Sequence, residues 1–175
     1  SVKICKVVKM NSIPLTPEEK KDTLTWAMNN WVEGMMKATG GYVTVWDVVN
    51  EAISGGGDDG EGFYVLQSAS NVSENDAQNN FYWQDYLGNE DYARIAVAAA
   101  RKYYAENGGT APLKLFINDY NLESDWDDNK KAKSLVHWIK KWEADGVTQI
   151  DGIGTQMHVS CYANAATQKS KEEHV

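Results

Sequence analysis

Cysteine is nearly absent from this chain. Cys5 and Cys161 are its two thiols, far apart and without Cys-x-x-Cys or His spacing beside either. That excludes a zinc-ligand pattern and a disulfide framework, and leaves free thiols and no metal as the expectation. Long apolar runs are missing too. Nothing approaches the roughly 20 residues of a membrane-spanning helix, and Ser1-Val-Lys-Ile-Cys-Lys-Val-Val-Lys9 lacks the apolar centre of a secretory leader. Basic charge is scarce: 17 Lys and Arg stand against 25 Asp and Glu, a net charge of −8. An acidic surface repels nucleic acid and anionic membrane alike, so a neutral substrate suits the chain better.

Aromatic side chains, by contrast, are plentiful. Seven Trp and nine Tyr supply faces that fill cores and also stack on the apolar faces of pyranose rings. Most are expected to be core or interhelix packing.

Along the chain, residues 1–13 alternate Val2 and Ile4 with Lys3, Lys6 and Lys9, a half-exposed strand pattern. They read as a separate segment, the end of an inserted module, ahead of a unit spanning 14–175. Thr16-Pro17-Glu18-Glu19 is a helix start, with Thr16 as N-cap, Pro17 in the first turn and Glu19 completing a capping box. That helix is expected to bury Leu24, Met28, Trp31 and Met35 and to stop at Gly40-Gly41. Val43 to Val49 reads as a central parallel strand covered on both faces, in which Asp47 must be paired to offset its desolvation. Residues 54–80 are Gly-, Asp-, Asn- and Ser-rich, too polar to pack, and suited to shaping a cleft. A helix over 90–106 ends at Gly108-Gly109, a strand covers 113–117, and Asp127 caps a helix to about Ala144. A strand over 148–155 and a helix from Ala163 follow. Short turns on one side, long loops on the other and right-handed crossovers predict parallel neighbours.

Each predicted strand ends in polar residues: Trp46-Asp-Val-Val-Asn50-Glu51, Ile117-Asn118-Asp-Tyr120-Asn121 and Gly152-Ile-Gly-Thr-Gln156-Met-His158. In a parallel barrel the strand C-terminal ends share one rim, so these groups converge on one pocket. In this order the three strings resemble the fourth, fifth and sixth strands of family 10 glycoside hydrolases, the endo-β-1,4-xylanases, from about Leu15 to the C-terminus. The fold implied is α/β, a partial TIM (β/α)8 barrel of about three β/α units; a whole barrel needs roughly 250 residues.

The resemblance implies roles. Glu51 is the general acid/base that protonates the leaving glycosidic oxygen, which requires a carboxyl neutral at the start. Asn50 hydrogen-bonds the 2-hydroxyl of the sugar at the cleavage point. His158 holds the catalytic nucleophile, and Gln156 lines the same subsite. Tyr120 and Asn121 line the leaving-group side, with Tyr120 stacking on a xylose ring. Asn118 and Trp83 are weaker candidates, and His137 and His174 default to helix surfaces.

A retaining mechanism needs a second carboxylate roughly 5 Å away. The family carries it on the seventh strand in a Glu-Leu-Asp context that has no counterpart here, so the nucleophile is expected outside this chain. Glu123, Asp125 and Asp127 begin a loop and helix and are not expected to replace it. The expected function is a catalytic-domain segment of a secreted xylanase, inactive in isolation. It would act on xylan or xylo-oligosaccharides without cofactor, and would pair with the rest of the barrel or self-associate through open sheet edges. A non-catalytic carbohydrate-binding or structural fragment and a β-1,4-glucanase of the same clan are the alternatives.

Overall fold

The computed structural model describes residues 14–174; the strand expected over 1–13, and Cys5 with it, lie outside the described residues. Helix α1 (Pro17–Thr39) opens as its sequence dictates. Thr16 Oγ1 accepts from Glu19 N at 3.2 Å and Glu19 Oε2 from Thr16 N at 2.8 Å, satisfying two donors the helix leaves open. It ends on Gly40 in the left-handed region. A side chain at Gly41 would strike the backbone of Gly108, so the Gly-Gly stops of α1 and of α4 (Asp91–Glu106) meet backbone to backbone.

The buried stripe of α1 is Leu24, Met28 and Met36, with Val32 partly buried between them. Trp31 is 68% exposed and Met35 38%, contrary to expectation. The helix packs along an i+4 ridge against α4, and that ridge runs 24-28-32-36.

Strands β1 (Val45–Asn50), β2 (Lys114–Asp119) and β3 (Gly152–Thr155) form a parallel sheet in the order β1-β2-β3. This is the expected β/α arrangement. The last strand starts later than its sequence suggests because side chains hold its approach. Asp145 accepts from Val147 N and Thr148 N, Glu143 from Ile150 N, and Asp151 binds Arg101, Lys114 and Leu115 N. Asp47 departs from another expectation: among the described residues β1 lies at the sheet edge and Asp47 is exposed, so it is not desolvated there.

The segment expected to be too polar to pack is anchored at several points. Ile53 and Leu66 form an antiparallel bridge, and Tyr64 and Leu66 are buried. Tyr64 donates its N–H to Ser134 and accepts from Trp138 Nε1. Part of its polarity is satisfied within the segment, where Asp58 and Asp59 accept from the backbone of residues 60–63, and its apolar residues reach the core. Short helices α2 (Glu74–Asn79) and α3 (Gln84–Leu87) follow.

Helix α5 (Lys130–Glu143) buries Leu135, Trp138 and Trp142. Asp127 accepts from Lys130 N, although left-handed Asn129 occupies the cap position itself. Helix α6 (Ala165–His174) is the last element. Trp142 is fully buried and donates to Asn89 O; a Trp in such a place is worth about 3–5 kcal/mol on truncation to Ala. Core packing claims most of the tryptophans, as expected, with Trp46 and Trp83 partly buried against the core. Trp138 and Trp142 are buried, while Trp26, Trp31 and Trp126 are exposed.

Candidate active site

Register sets the site. Asn50 pairs with Asn118, and Asn118 with Gly154, so the three strands reach the rim at one level. A side chain at Gly154 would press on Asn118 Oδ1, so the glycine leaves Asn118 free to turn toward Asn50. Asn118 Nδ2 then donates to Asn50 Oδ1 at 2.8 Å.

Glu51 stands one residue past the end of β1 in the left-handed region, φ 55°. A non-glycine residue in this conformation is strained by order 1–3 kcal/mol and persists only where its surroundings fix it. Two hydrogen bonds do so: Glu51 N donates to Asn118 O at 2.8 Å, and Gln67 Nε2 donates to Glu51 O at 2.7 Å.

From the third strand, Gln156 Nε2 donates to Glu51 Oε1 at 2.7 Å and lies 3.4 Å from Asn50 Oδ1. Gln156 Oε1 is then the acceptor facing His158 Nε2 at 2.8 Å. This amide orientation makes His158 Nε2 the donor, so its proton sits on that nitrogen. Asn50 Oδ1 is taken up by two carboxamides, and its own Nδ2 has no acceptor among the described residues. Asn50 therefore offers a donor at the pocket, as binding a hydroxyl requires.

Tyr120 belongs to the same cluster. Burial pushes its hydroxyl up, and the carboxylates of Asp119 and Glu51 add to the shift. Behind it sits a pair that the strand pattern did not reveal. Asp119 is fully buried at the end of β2; it accepts from Ile53 N at 3.0 Å and Tyr120 N at 2.8 Å, and Lys131 Nζ lies 2.9 Å from Oδ1. The ammonium is off the hydrogen-bonding direction to Asp119 and instead stands 3.3 Å from the centre of the Tyr120 ring. A cation on one face of that ring leaves the other for a ligand. Tyr92, buried nearby with an unpartnered hydroxyl, is pushed up by burial first and by Asp119 second.

A cleft of about 540 Å³ contains Asn50, Glu51, Gln67, Tyr82, Trp83 and Gln84 in its wall. Glu51 is its single carboxylate among the described residues. Trp83 thus faces the cleft, and Asn118 is tied to Asn50. Asn121 is exposed, with φ 57°, and flanks a smaller cleft with Tyr120. The other loop acids are occupied elsewhere. Glu123 accepts from Thr155, Asp125 pairs with Lys171 at 2.6 Å, and Asp127 accepts from Tyr64 and Lys130.

His137 is the site-independent surprise. It is not a bare helix-surface residue: its ring stacks on Phe63 at 4.1 Å and its Nε2 lies 2.8 Å from Asp59 Oδ2. Burial works against the charged form of Asp59, but hydrogen bonds from Glu61 N, Phe63 N, His137 and Lys141 outweigh it and hold the carboxyl far below its usual range. Asp59, Glu61 and His137 have the spacing of metal ligands. Lys141 Nζ, 2.6 Å from Glu61 and 3.3 Å from Asp59, already fills the cation position. His174 Nε2 lies 2.9 Å from Asn129 Nδ2. Cys161 is a free, exposed thiol as expected.

Residues 7–173 match the family model for glycosyl hydrolase family 10. The chain is 34% identical over 142 residues to endo-1,4-beta-xylanase A of Halalkalibacterium halodurans, covering 81% of this chain and 28% of that protein. It is 31% identical to endo-1,4-beta-xylanase 2 of Claviceps purpurea, covering 79% of this chain and 34% of that one. Among solved structures, xylanase B from Clostridium stercorarium superposes with TM-score 0.60 at 25% identity, over 89% of this chain and 38% of that one. The chain thus spans about a third of the length of these relatives. Its three parallel β/α units are the corresponding part of their TIM barrel.

Proposed function

The chain belongs to glycosyl hydrolase family 10, and from that premise we propose that it acts in an endo-1,4-β-xylanase, with Glu51 as the general acid/base. The observation that carries this reading is the chain of contacts Asn50–Gln156–Glu51 and Gln156–His158, which draws polar groups from two strand ends around one carboxyl. Glu51 donates its proton to the glycosidic oxygen as the bond breaks, then takes one from the incoming water. Asn50 Nδ2 donates to a ring hydroxyl, a contact that tightens as positive charge develops on the sugar. Tyr120 supports the leaving-group ring on the face opposite Lys131. The retaining route needs a second carboxylate roughly 5 Å from Glu51, and that group comes from beyond the described residues.

Xylan is the substrate the relatives' names favour, and one solved relative is described in complex with xylotriose. Because other relatives are named celloxylanase and exoglucanase, β-1,4-glucan is the second substrate to test. A polymer of this size stays outside cells, which supports an exported enzyme. The outer edges of β1 and β3 have no strand partner among the described residues, and we expect further barrel strands, or a second copy, to cover them.

Reducing-sugar release by the intact enzyme from xylan and from carboxymethylcellulose tests the assignment. Xylan hydrolysis at a much higher rate is expected. Preference for the glucan would replace the substrate, and inertness on both would remove the enzymatic reading.

A further inference from the structure

We propose that Trp126 is the platform of an additional sugar subsite beyond Tyr120, taking one pyranose ring of a longer oligosaccharide. The inference rests on the glycosidase reading for the chemistry of the ligand, and on the following geometry for its place.

Trp126 is 74% exposed. Its ring makes no aromatic contact and its indole N–H no hydrogen bond among the described residues, so neither interaction ties it to the fold. Trp31, by comparison, lies on α1 and helps wall the Glu51 cleft on the side of the free β1 edge, where further sheet can cover it. Trp126 follows β2, which is already paired on both sides. Its exposure therefore does not follow from an open strand edge. An uncovered indole face set beside a cleft is suited to stack on a ligand.

Two clefts meet at this residue. One, of about 160 Å³, contains Trp126 together with Tyr120, Asn121, Ser54 and Asp127. The other, of about 260 Å³, contains Trp126 together with His158, Ser160 and Tyr162. Trp126 is thus contiguous with Tyr120 on one side and His158 on the other, both members of the Glu51 cluster. The Asn121 carboxamide makes no hydrogen bond among the described residues and sits exposed beside the indole, with a donor and an acceptor available to adjacent hydroxyls. An apolar ring face flanked by unengaged amide and hydroxyl groups matches the two surfaces of a pyranose, apolar across the C–H face and polar around the rim. The Asp125–Lys171 ion pair at 2.6 Å forms part of the second cleft and helps fix the loop that carries Trp126.

The test compares the intact enzyme with its Trp126→Ala and Trp126→Tyr variants on substrates of increasing length. Binding of xylobiose to xylohexaose is measured by calorimetry in a Glu51→Gln background, and hydrolysis in the parent. Trp126→Ala should lower affinity and kcat/KM for xylohexaose about tenfold more than for the shortest substrate, the scale of one lost stacking contact of about 1.4 kcal/mol. Trp126→Tyr should restore most of the difference. Equal losses at every length would mean that Trp126 only supports the loop, and no loss at any length that no subsite exists; either overturns the proposal. Length-dependent binding without hydrolysis in the parent would sustain the subsite while refuting the enzymatic reading. Hydrolysis that is indifferent to Trp126 would do the reverse.

Discussion

Gln156 donates from Nε2 to Glu51 Oε1 at 2.7 Å, although 105 residues separate them in sequence. One carboxamide thereby links the end of β3 to the end of β1, and its orientation is set by what it touches on each side. With its N–H groups turned to Glu51 and Asn50, its oxygen must face His158. The proton on His158 Nε2 follows from a contact made by its neighbour two residues away.

Replacing Glu51 by Ala in the intact enzyme should reduce hydrolysis of xylan by about 10²–10⁴-fold, the usual contribution of a positioned general acid. Aryl xylosides, whose leaving groups need no proton, should lose far less in the step that releases the aryl group. Rates on the two substrates check this, and equal losses would assign Glu51 to binding.

Lys131→Met strands the fully buried Asp119 carboxylate without its cation. Removing one partner of a buried pair costs about 3–5 kcal/mol, so chemical denaturation should show a loss of that order. Because Asp119 also holds Ile53 N and Tyr120 N, those two amides should gain the most hydrogen exchange. The double variant Lys131→Met with Asp119→Asn should recover part of the stability, which a simple packing defect at Lys131 would not allow.

Asp59 gives a signed pH prediction. Its folded carboxyl titrates far below its usual range, whereas in the unfolded chain an Asp titrates near about 3.9. Its stabilisation is therefore fully present above that value and is lost as pH falls through the lower folded value. The melting temperature of Asp59→Asn should consequently fall less steeply than that of the parent as pH drops below about 4. Thermal melts across pH 2–7 measure it, and parallel curves for the two proteins would refute the linkage.

The 175-residue chain by itself should release no reducing sugar from xylan, because Glu51 is the one carboxylate in its cleft among the described residues and a covalent glycosyl intermediate needs a second. Adding a separate chain that supplies the other barrel strands should restore hydrolysis. Sedimentation should also show self-association of the 175-residue chain, driven by the outer edges of β1 and β3. Strong activity from a monomer would contradict both expectations.

Local chemistry was legible wherever one segment satisfies its own needs. The Thr16–Glu19 box needs four consecutive residues, and the Gly-Gly stops announce themselves by φ values that other residues avoid, at Gly40, Gly41 and Gly108. The apolar strings ending in Asn-Glu, Asn-Asp-Tyr-Asn and Gln-Met-His gave the strands and their shared rim. Sequence periodicity erred on α1, where the choice between Trp31 and Val32 as the buried residue depends on the ridge α4 offers. It erred again on residues 54–80, whose polar groups bond partly within the loop and partly to α5 while Tyr64 and Leu66 reach the core.

By itself, then, the sequence determined which elements form and which side chains stand at the strand ends, because capping, turn chemistry and alternation act over a few residues. Only the tertiary structure decided how those side chains are engaged. The Gln156 bridge to Glu51, the Lys131 ammonium between Asp119 and Tyr120, and the His137 ring against Asp59 each join segments 11 to 105 residues apart. A contact of that kind depends on the register of the strands and the placement of helix α5, and no local pattern encodes either. Electrostatics sharpens the point, since the same carboxyl that is an ordinary acid in an extended chain becomes, in Asp59, one that four folded donors keep ionised.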